Sequence, residues 1–316
     1  MAELHWHPFY EEWVVITPAR QARPNLPKTS CPFCPGSPKV PAQYEAIALP
    51  NDFPSLSLGA GEAGPAADPF YPSQPAQGVC EVVLYSSVHD QTLATLTPLQ
   101  MDKVIALWTE RYQKLGSLPE IQHVFIFENR GEPVGATIPH PHGQIYAYGF
   151  TPPRFEKEAA AQRRYLEQHK SCLGCAVAAE EIKHPERLVT QNQHWIASVP
   201  YYCRFPFEVQ ILPQRHAGCL TEIKPEESRG LNEILRNVAR RYDALFGFPL
   251  PYMMWQHAKP TDGGEHPWHH FRVTFVSIQR AADKLKYFAS VESASGTYLT
   301  DLSPEAMAEK LRKAGD

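Results

Sequence analysis

The chain has 316 residues, 43% of them hydrophobic, which is enough for a packed core and excludes a globally disordered protein. Its 30 basic and 34 acidic residues give a net charge of −4, which offers no basic face for nucleic acid or an anionic membrane. No apolar run approaches the roughly 18 residues of a membrane span, and the N-terminus lacks the apolar stretch of a signal peptide, so we expect a cytosolic protein.

The chain contains seven cysteines, an odd number that argues against a disulfide framework in a cytosolic protein. Four of them form two CxxC pairs, Cys31 with Cys34 and Cys172 with Cys175, and such pairs are typical of metal or redox sites. The first pair lies in a proline-rich stretch without a thioredoxin-like βαβ pattern, which favours a metal. Prolines and glycines are most frequent over 35–78, where we expect a functional loop with little regular structure.

Alignment of the two CxxC pairs reveals an internal repeat. Each half has a CxxC pair, an apolar strand that leads to a histidine, an amphipathic helix, and a second strand that leads to another histidine. The first half comprises strand 82–85, His89, helix 97–115, strand 124–127 and His140; the second comprises strand 208–212, His216, helix 225–246, strand 252–255 and His270. The charged, alanine-rich segment 152–170 predicts a connecting helix.

This repeat predicts an α+β fold of two similar halves, each an antiparallel sheet with a helix packed on it, joined as one unit. We place the first half at 1–150 and the second at 151–316. The repeat also predicts two closed zinc sites, because zinc prefers four nitrogen or sulfur ligands in a tetrahedron. The first set is Cys31, Cys34, His89 and His140, and the second is Cys172, Cys175, His216 and His270. The alternative is that one or both pairs are buried thiols near unrelated histidines.

The stretch that follows the second strand, His140-Pro-His142-Gly-Gln144, predicts the catalytic centre. Residues two apart on a strand share a face, so these three side chains should point the same way. A neutral imidazole at His142 is a good nucleophile toward activated phosphorus, and Gln144 can donate a hydrogen bond to a phosphoryl oxygen. The turn from Asn129 to Gly135 should offer backbone N–H groups to phosphate. The alternative is that the two histidines simply bind one metal.

The run 140–144, preceded by Phe127-Glu-Asn-Arg-Gly, resembles the galactose-1-phosphate uridylyltransferase family of the histidine-triad superfamily. The likeness continues in the opening stretch with Arg20 and Arg23, in Asn51-Asp52-Phe53-Pro, and in segments 199–216, 286–292 and 301–311. It covers nearly the whole chain, and the motifs are specific only together. It therefore implies tandem histidine-triad-like halves.

The resemblance implies a ping-pong reaction between a UDP-sugar and a hexose 1-phosphate. His142 would attack the α-phosphorus of UDP-glucose and release glucose 1-phosphate, and galactose 1-phosphate would then accept the uridylyl group. The resemblance also implies a homodimer, phosphate contacts from Arg20 and Arg23, nucleotide contacts from Asn51 and Asp52, and a phosphoryl hydrogen bond from Asn129. A solvated surface pair is the alternative for the two arginines.

One group of residues departs from part of the family. Some members carry a second, non-zinc metal site of one glutamate and three histidines, and Glu158, His257 and His270 occupy three of those positions. Arg272 stands at the fourth, and Cys172 and Cys175 are added, so we expect zinc in place of that site.

The branch with two CxxC pairs also resembles plant-type relatives that transfer adenylyl from ADP-glucose to phosphate. A nucleotide phosphorylase is therefore the alternative function. A hydrolase and a non-enzymatic nucleotide-binding or zinc-scaffold module are weaker alternatives, because neither explains the pairing of His142 with Gln144.

Overall fold

The computed structural model describes residues 2–22, 30–59, 69–136 and 138–315. The strands of this part of the chain are β1 (Glu3–His7), β2 (Glu12–Ile16), β3 (Ile47–Pro50), β4 (Ser73–Pro75), β5 (Gly78–Leu84), β6 (His123–Arg130), β7 (His142–Tyr148), β8 (Leu188–Gln191), β9 (Trp195–Ser198), β10 (Val209–Pro213), β11 (Tyr252–His257), β12 (Arg272–Val276), β13 (Gln279–Ala281) and β14 (Lys284–Leu285). The α-helices are α1 (Pro98–Gly116), α2 (Pro153–His169), α3 (Leu173–Ile182), α4 (Pro225–Leu245), α5 (Ser290–Ser295) and α6 (Pro304–Ala314). None of these helices is long and apolar enough to cross a membrane.

One antiparallel sheet of nine strands runs through both halves in the order β3-β5-β7-β6-β11-β12-β10-β9-β8. The strands β5, β7 and β6 of the first half correspond to β10, β12 and β11 of the second. The halves meet where β6 pairs with β11, with Phe127 opposite Trp255. The two halves thus share one continuous sheet, and this antiparallel pair relates them by an approximate two-fold axis.

The two long helices pack against this sheet and against each other through their apolar faces. Helix α1 begins at a capping box, in which Thr97 and Gln100 satisfy each other's exposed N–H groups, and Pro98 occupies the first turn. Its buried stripe includes Trp108, and α4 buries a similar stripe that includes Tyr242. The expected mixed fold of antiparallel sheet and packed helices is confirmed.

The long proline-rich stretch contains more structure than its composition indicates. Strand β3 forms the edge of the main sheet by pairing with β5, and β4 joins β1 and β2 in a separate three-stranded sheet. The expectation of little regular structure over 35–78 was therefore wrong at these two strands. Short edge strands form because a partner strand satisfies their backbone groups, and local composition does not reveal that partner. The connecting helix expected over 152–170 is α2.

Candidate active site and metal centres

The first cysteine pair and two histidines that are distant in sequence converge beside the start of β7. The ligand atoms of Cys31, Cys34, His89 and His140 all lie within 4.8 Å of one another. Sγ of Cys34 is 3.4 Å from Nδ1 of His89 and 3.9 Å from Nδ1 of His140. Burial of Cys34 and the neighbouring thiol of Cys31 raise the pKa of the Cys34 thiol, and a bound cation would offset both effects.

A second group of the same composition lies in the other half. Cys172, Cys175, His216 and His270 have their ligand atoms within 4.8 Å of one another. Sγ of each cysteine is 3.5 Å from Nδ1 of His270, and Sγ of Cys175 is 3.7 Å from Nδ1 of His216. Burial and the adjacent Cys172 raise the pKa of the Cys175 thiol to about 12. The histidines stand at equivalent points of the fold, since His140 and His270 each precede a central strand.

Both groups have the dimensions and donor set of a tetrahedral zinc site. Zinc–sulfur and zinc–nitrogen bonds of about 2.3 and 2.0 Å at tetrahedral angles separate sulfur from nitrogen by about 3.5 Å, close to the distances found. Nε2 of His140 donates to the Ser86 carbonyl at 2.8 Å, and Nε2 of His270 donates to that of Pro213 at 3.1 Å. Each of these contacts leaves the Nδ1 lone pair for a metal. The two groups could therefore hold metal ions, and their chemistry is compatible with zinc.

Strand β7 begins at His142, so the alternation of faces holds for His142 and Gln144, which are partly exposed on either side of buried Gly143. His140 lies outside the strand and is buried, which differs from the expected common face of all three residues. Nδ1 of His142 lies 2.7 Å from the His140 carbonyl oxygen. Because a carbonyl only accepts, Nδ1 carries the proton and Nε2 carries the lone pair of the neutral imidazole.

His142 stands where three cavities meet. The largest of them, about 720 Å³, is mostly apolar and is lined by Phe33, Val82, Asn51 and Asp52 together with His142 and Gln144. A second cavity, of about 220 Å³, borders the same two residues and is also lined by Arg20, Asn129 and Gly135. A third, of about 490 Å³, lies against His89, Asp90 and Glu128. The structure thus brings the expected substrate residues that it describes to two cavities around His142.

Some expected substrate residues have other interactions. Arg20 is partly buried and hydrogen-bonded, so it is not a solvated surface residue, while Arg23 lies outside the described residues. Asp52 pairs with Lys39 at the rim of the largest cavity. Asn51 accepts a hydrogen bond from the backbone N–H of Phe53 at 2.9 Å.

Several backbone N–H groups in the turn after β6, which we expected to contact phosphate, have partners within the turn. The backbone N–H groups of Val134 and Ala136 donate to the Gly131 carbonyl at 3.2 Å, and that of Gly135 donates to the Glu132 carbonyl at 2.9 Å. These donors are therefore engaged within the turn. Gly135, at a φ of +82°, contributes its backbone surface to the 220 Å³ cavity. The spacing of glycines indicated a tight turn but not which acceptors its N–H groups would find.

The position equivalent to His142 in the second half is Arg272, the first residue of β12. Its guanidinium binds Glu158 of α2 through two hydrogen bonds of 2.6 and 2.8 Å, and His257 donates to the same carboxylate at 3.0 Å. Arg272 and His257 hold the pKa of Glu158 well below its usual range despite burial. Glu158 and His257 thus belong to an ion-pair network that fixes α2 to the sheet, and neither is in the two Cys/His groups found among the described residues.

Sequence reasoning missed two residues that support the site. The Tyr44 hydroxyl contacts the carbonyls of Phe33 and Ser86 at 2.8 and 2.9 Å and lies 2.8 Å from Nε2 of His140. The Phe33 ring, between the two cysteines of the first pair, packs edge-on against that of His142 at 5.1 Å. No motif marked Tyr44. The position of Phe33 within the first CxxC pair was the available signal.

Comparison with known proteins agrees with this geometry over the whole chain. Residues 6–152 match the family model for the galactose-1-phosphate uridyl transferase N-terminal domain, and residues 158–315 match that for the C-terminal domain. A galactose-1-phosphate uridylyltransferase of Thermotoga maritima is 38% identical over 99% of this chain and 98% of its own length.

Two solved structures are also similar. A uridylyltransferase structure has a TM-score of 0.90 at 31% identity, covering 99% of this chain and 98% of its own. An ADP-glucose phosphorylase of Arabidopsis thaliana has a TM-score of 0.76 at 22% identity, covering 99% and 98% of the two chains, and this likeness bears on the fold alone. The matched models, the identity to full-length relatives and the shared fold lead to one conclusion: the chain belongs to the galactose-1-phosphate uridyl transferase family.

Proposed function

We propose that this protein is a galactose-1-phosphate uridylyltransferase, which transfers a uridylyl group from UDP-glucose to galactose 1-phosphate through a covalent intermediate on His142. The observation that carries the proposal is the hydrogen bond from Nδ1 of His142 to the His140 carbonyl. This bond directs the lone pair on Nε2 to the junction of the cavities that contain the expected substrate residues. Family membership and relatives with this activity support the choice of reaction.

The nucleotide half of the substrate fits the larger cavity. Its apolar walls include Phe33, Val40 and Phe53, which suit a flat base, and its polar rim includes Asn51 and Asp52. The sugar-phosphate half then lies in the smaller cavity with Arg20, whose charge complements a phosphate. Gln144 and His142 border both cavities, so the α-phosphorus lies between them.

In the first step, Nε2 of His142 attacks the α-phosphorus, an N–P bond forms, and the bond to the bridging oxygen breaks. The electron pair leaves with glucose 1-phosphate, which needs no proton because its oxygen is already a phosphate oxygen. Gln144 and Asn129 donate hydrogen bonds to the non-bridging oxygens as charge develops. Galactose 1-phosphate reverses the step and regenerates neutral His142. The amide of Gln144 is therefore sufficient at this position, since no general acid is needed to protonate the leaving oxygen.

Each Cys/His group binds one zinc ion in this proposal, two per chain. With four protein ligands, a bound zinc would cross-link its loop to the sheet and would not activate water. A zinc ion at the first site would help to hold Phe33 against His142, and one at the second would attach the start of α3 to the sheet. Residues 1–150 then form the catalytic half, and residues 151–316 form a structural counterpart in which Arg272 replaces the nucleophile.

A cytosolic homodimer completes the proposal. Metal binding by both groups requires reduced thiols, which the cytosol maintains, and all seven cysteines are free. Exposed aromatic rings gather at one end of the three-stranded sheet, where Phe9 is 91% and Tyr10 64% exposed near Phe70 and Tyr71. Exposed rings that are grouped in this way fit a subunit interface.

The decisive experiment traps the intermediate. The protein is mixed with UDP-glucose without an acceptor, quenched in base, and searched for an adduct by peptide mass spectrometry. We expect uridylyl on His142, none in the His142→Ala variant, and an unchanged yield in the His184→Ala variant, which alters a histidine far from the site. An adenylyl group from a parallel reaction with ADP-glucose, and none from UDP-glucose, would contradict the uridylyl assignment and favour a phosphorylase.

A further inference from the structure

Arg20 is held by two hydroxyl groups that come from different parts of the fold. It lies in the short 3-10 helix Pro18–Ala22, and its Nη1 donates to the hydroxyl of Tyr146 at 3.0 Å and to that of Ser55. Ser55 follows the Asn51–Asp52 segment that lines the larger cavity, and Tyr146 belongs to the catalytic strand. The guanidinium therefore joins the wall of one cavity to the strand that carries the nucleophile.

Tyr146 lies on the same face of β7 as His142 and Gln144, because residues two apart on a strand share a face. All three line the 220 Å³ cavity with Arg20. The Tyr146 ring is fixed by an edge-on contact with Phe127 at 5.3 Å and by Tyr148 at 6.0 Å. A hydroxyl on so constrained a ring gives the flexible arginine a defined orientation toward the cavity.

We propose that Tyr146 is a positioning residue, which together with Ser55 holds Arg20 in place to bind the second phosphate of the substrate, the phosphate attached to the sugar. This inference rests on the proposed function. It follows from the order of the cavities: the nucleoside occupies the larger cavity, the α-phosphate lies at His142, and the next phosphate enters the smaller cavity that Arg20 borders. An arginine already held by two acceptors loses less rotamer freedom when the phosphate binds.

The test compares a nucleoside diphosphate with a nucleoside monophosphate, because only the former carries the second phosphate. Dissociation constants for UDP and UMP are measured by calorimetry with the wild-type protein and the Tyr146→Phe variant, which keeps the ring. We expect Tyr146→Phe to raise the dissociation constant for UDP by about tenfold, which corresponds to the usual contribution of a hydrogen bond to a charged group. The dissociation constant for UMP should rise by less than about twofold.

A double-mutant cycle with Arg20→Ala separates positioning from a general packing effect. In the Arg20→Ala background, Tyr146→Phe should change the affinity for UDP by less than about twofold, because the group that it positions is gone. Tyr148→Phe is the matched comparison on the same strand face, and its effect should be the same with or without Arg20. Ser55→Ala should behave like Tyr146→Phe.

Two results would overturn the proposal: an equal loss of UDP and UMP affinity, or an effect of Tyr146→Phe that is the same in both backgrounds. Melting temperatures of all variants show whether each is folded. These binding measurements do not depend on turnover, so failure of uridylyl transfer would not be mistaken for failure of the inference. A protein that binds ADP in place of UDP would contradict the proposed function, while the ratio of ADP to AMP affinity would still decide the role of Tyr146.

Discussion

Gly143 lies on β7 between His142 and Gln144, at a position with little room for a side chain. A Cβ atom at this position would lie 2.1 Å from the Tyr85 hydroxyl oxygen and 2.9 Å from the Phe127 carbonyl oxygen. Tyr85 cannot move aside easily, since it is 1% exposed and packs edge-on against the equally buried Trp108 at 5.6 Å. The Gly143→Ala substitution must therefore displace β7 or the Tyr85 ring.

We expect Gly143→Ala to lower the free energy of unfolding by about 3 kcal/mol, the upper end of the usual cost of overpacking. Displacement of β7 moves His142 from its position, and an error of about 1 Å can cost roughly 100-fold in rate. The Tyr85→Phe substitution removes the hydroxyl oxygen that lies nearest to the new Cβ atom, but the Phe127 carbonyl oxygen remains. The double variant Gly143→Ala/Tyr85→Phe should therefore recover about half of the stability lost in Gly143→Ala.

Urea unfolding and the steady-state rate of uridylyl transfer test this prediction. Gly247→Ala is the control, because nothing lies within 4 Å of its Cβ and only its φ of +77° opposes the change. That variant should lose about 1 kcal/mol of stability and none of its turnover rate. Gly143→Ala with wild-type stability and rate would refute the packing argument, and so would a failure of Tyr85→Phe to restore any stability.

Three further predictions concern stability and metal content. Burial raises the pKa of Glu128 from 4.5 to about 7, so the folded state retains a proton that the unfolded state releases. Stability should fall by roughly 3 kcal/mol as pH rises from 4.5 to above 7, and Glu128→Gln should flatten this slope in urea titrations at several pH values. Glu158→Gln should cost about 3 kcal/mol because it leaves the partly buried Arg272 guanidinium without its carboxylate partner, whereas joint replacement by Glu158→Gln and Arg272→Met should cost less. Metal analysis should find two zinc ions per chain and one in Cys172→Ser, and a chelator should lower the melting temperature of the wild type.

Much of the fold and of the candidate site could be predicted from the spacing of residue types along the chain. Alignment of the two CxxC pairs predicted which histidines would join them, and the ligand atoms of both sets converge in the structure. The amphipathic pattern of α1 and α4 predicted both helices to within a few residues. These predictions succeed because a helix stripe and a two-residue turn between thiols are set by local geometry.

Other features depend on contacts between distant parts of the chain. The repeat, the candidate metal-ligand sets and the HxHxQ motif could be recognised from the sequence. The CxxC pairs and the HxHxQ motif are local patterns of residue types, and alignment of the two halves adds the matching histidines. The pairing of β6 with β11 into one sheet, the ion pair of Arg272 with Glu158 and the hydrogen bond between Arg20 and Tyr146 became visible only in the folded chain. Arg20 and Tyr146 are 126 positions apart in the chain. The sequence around each residue does not specify its partner, because burial and strand pairing bring the two together.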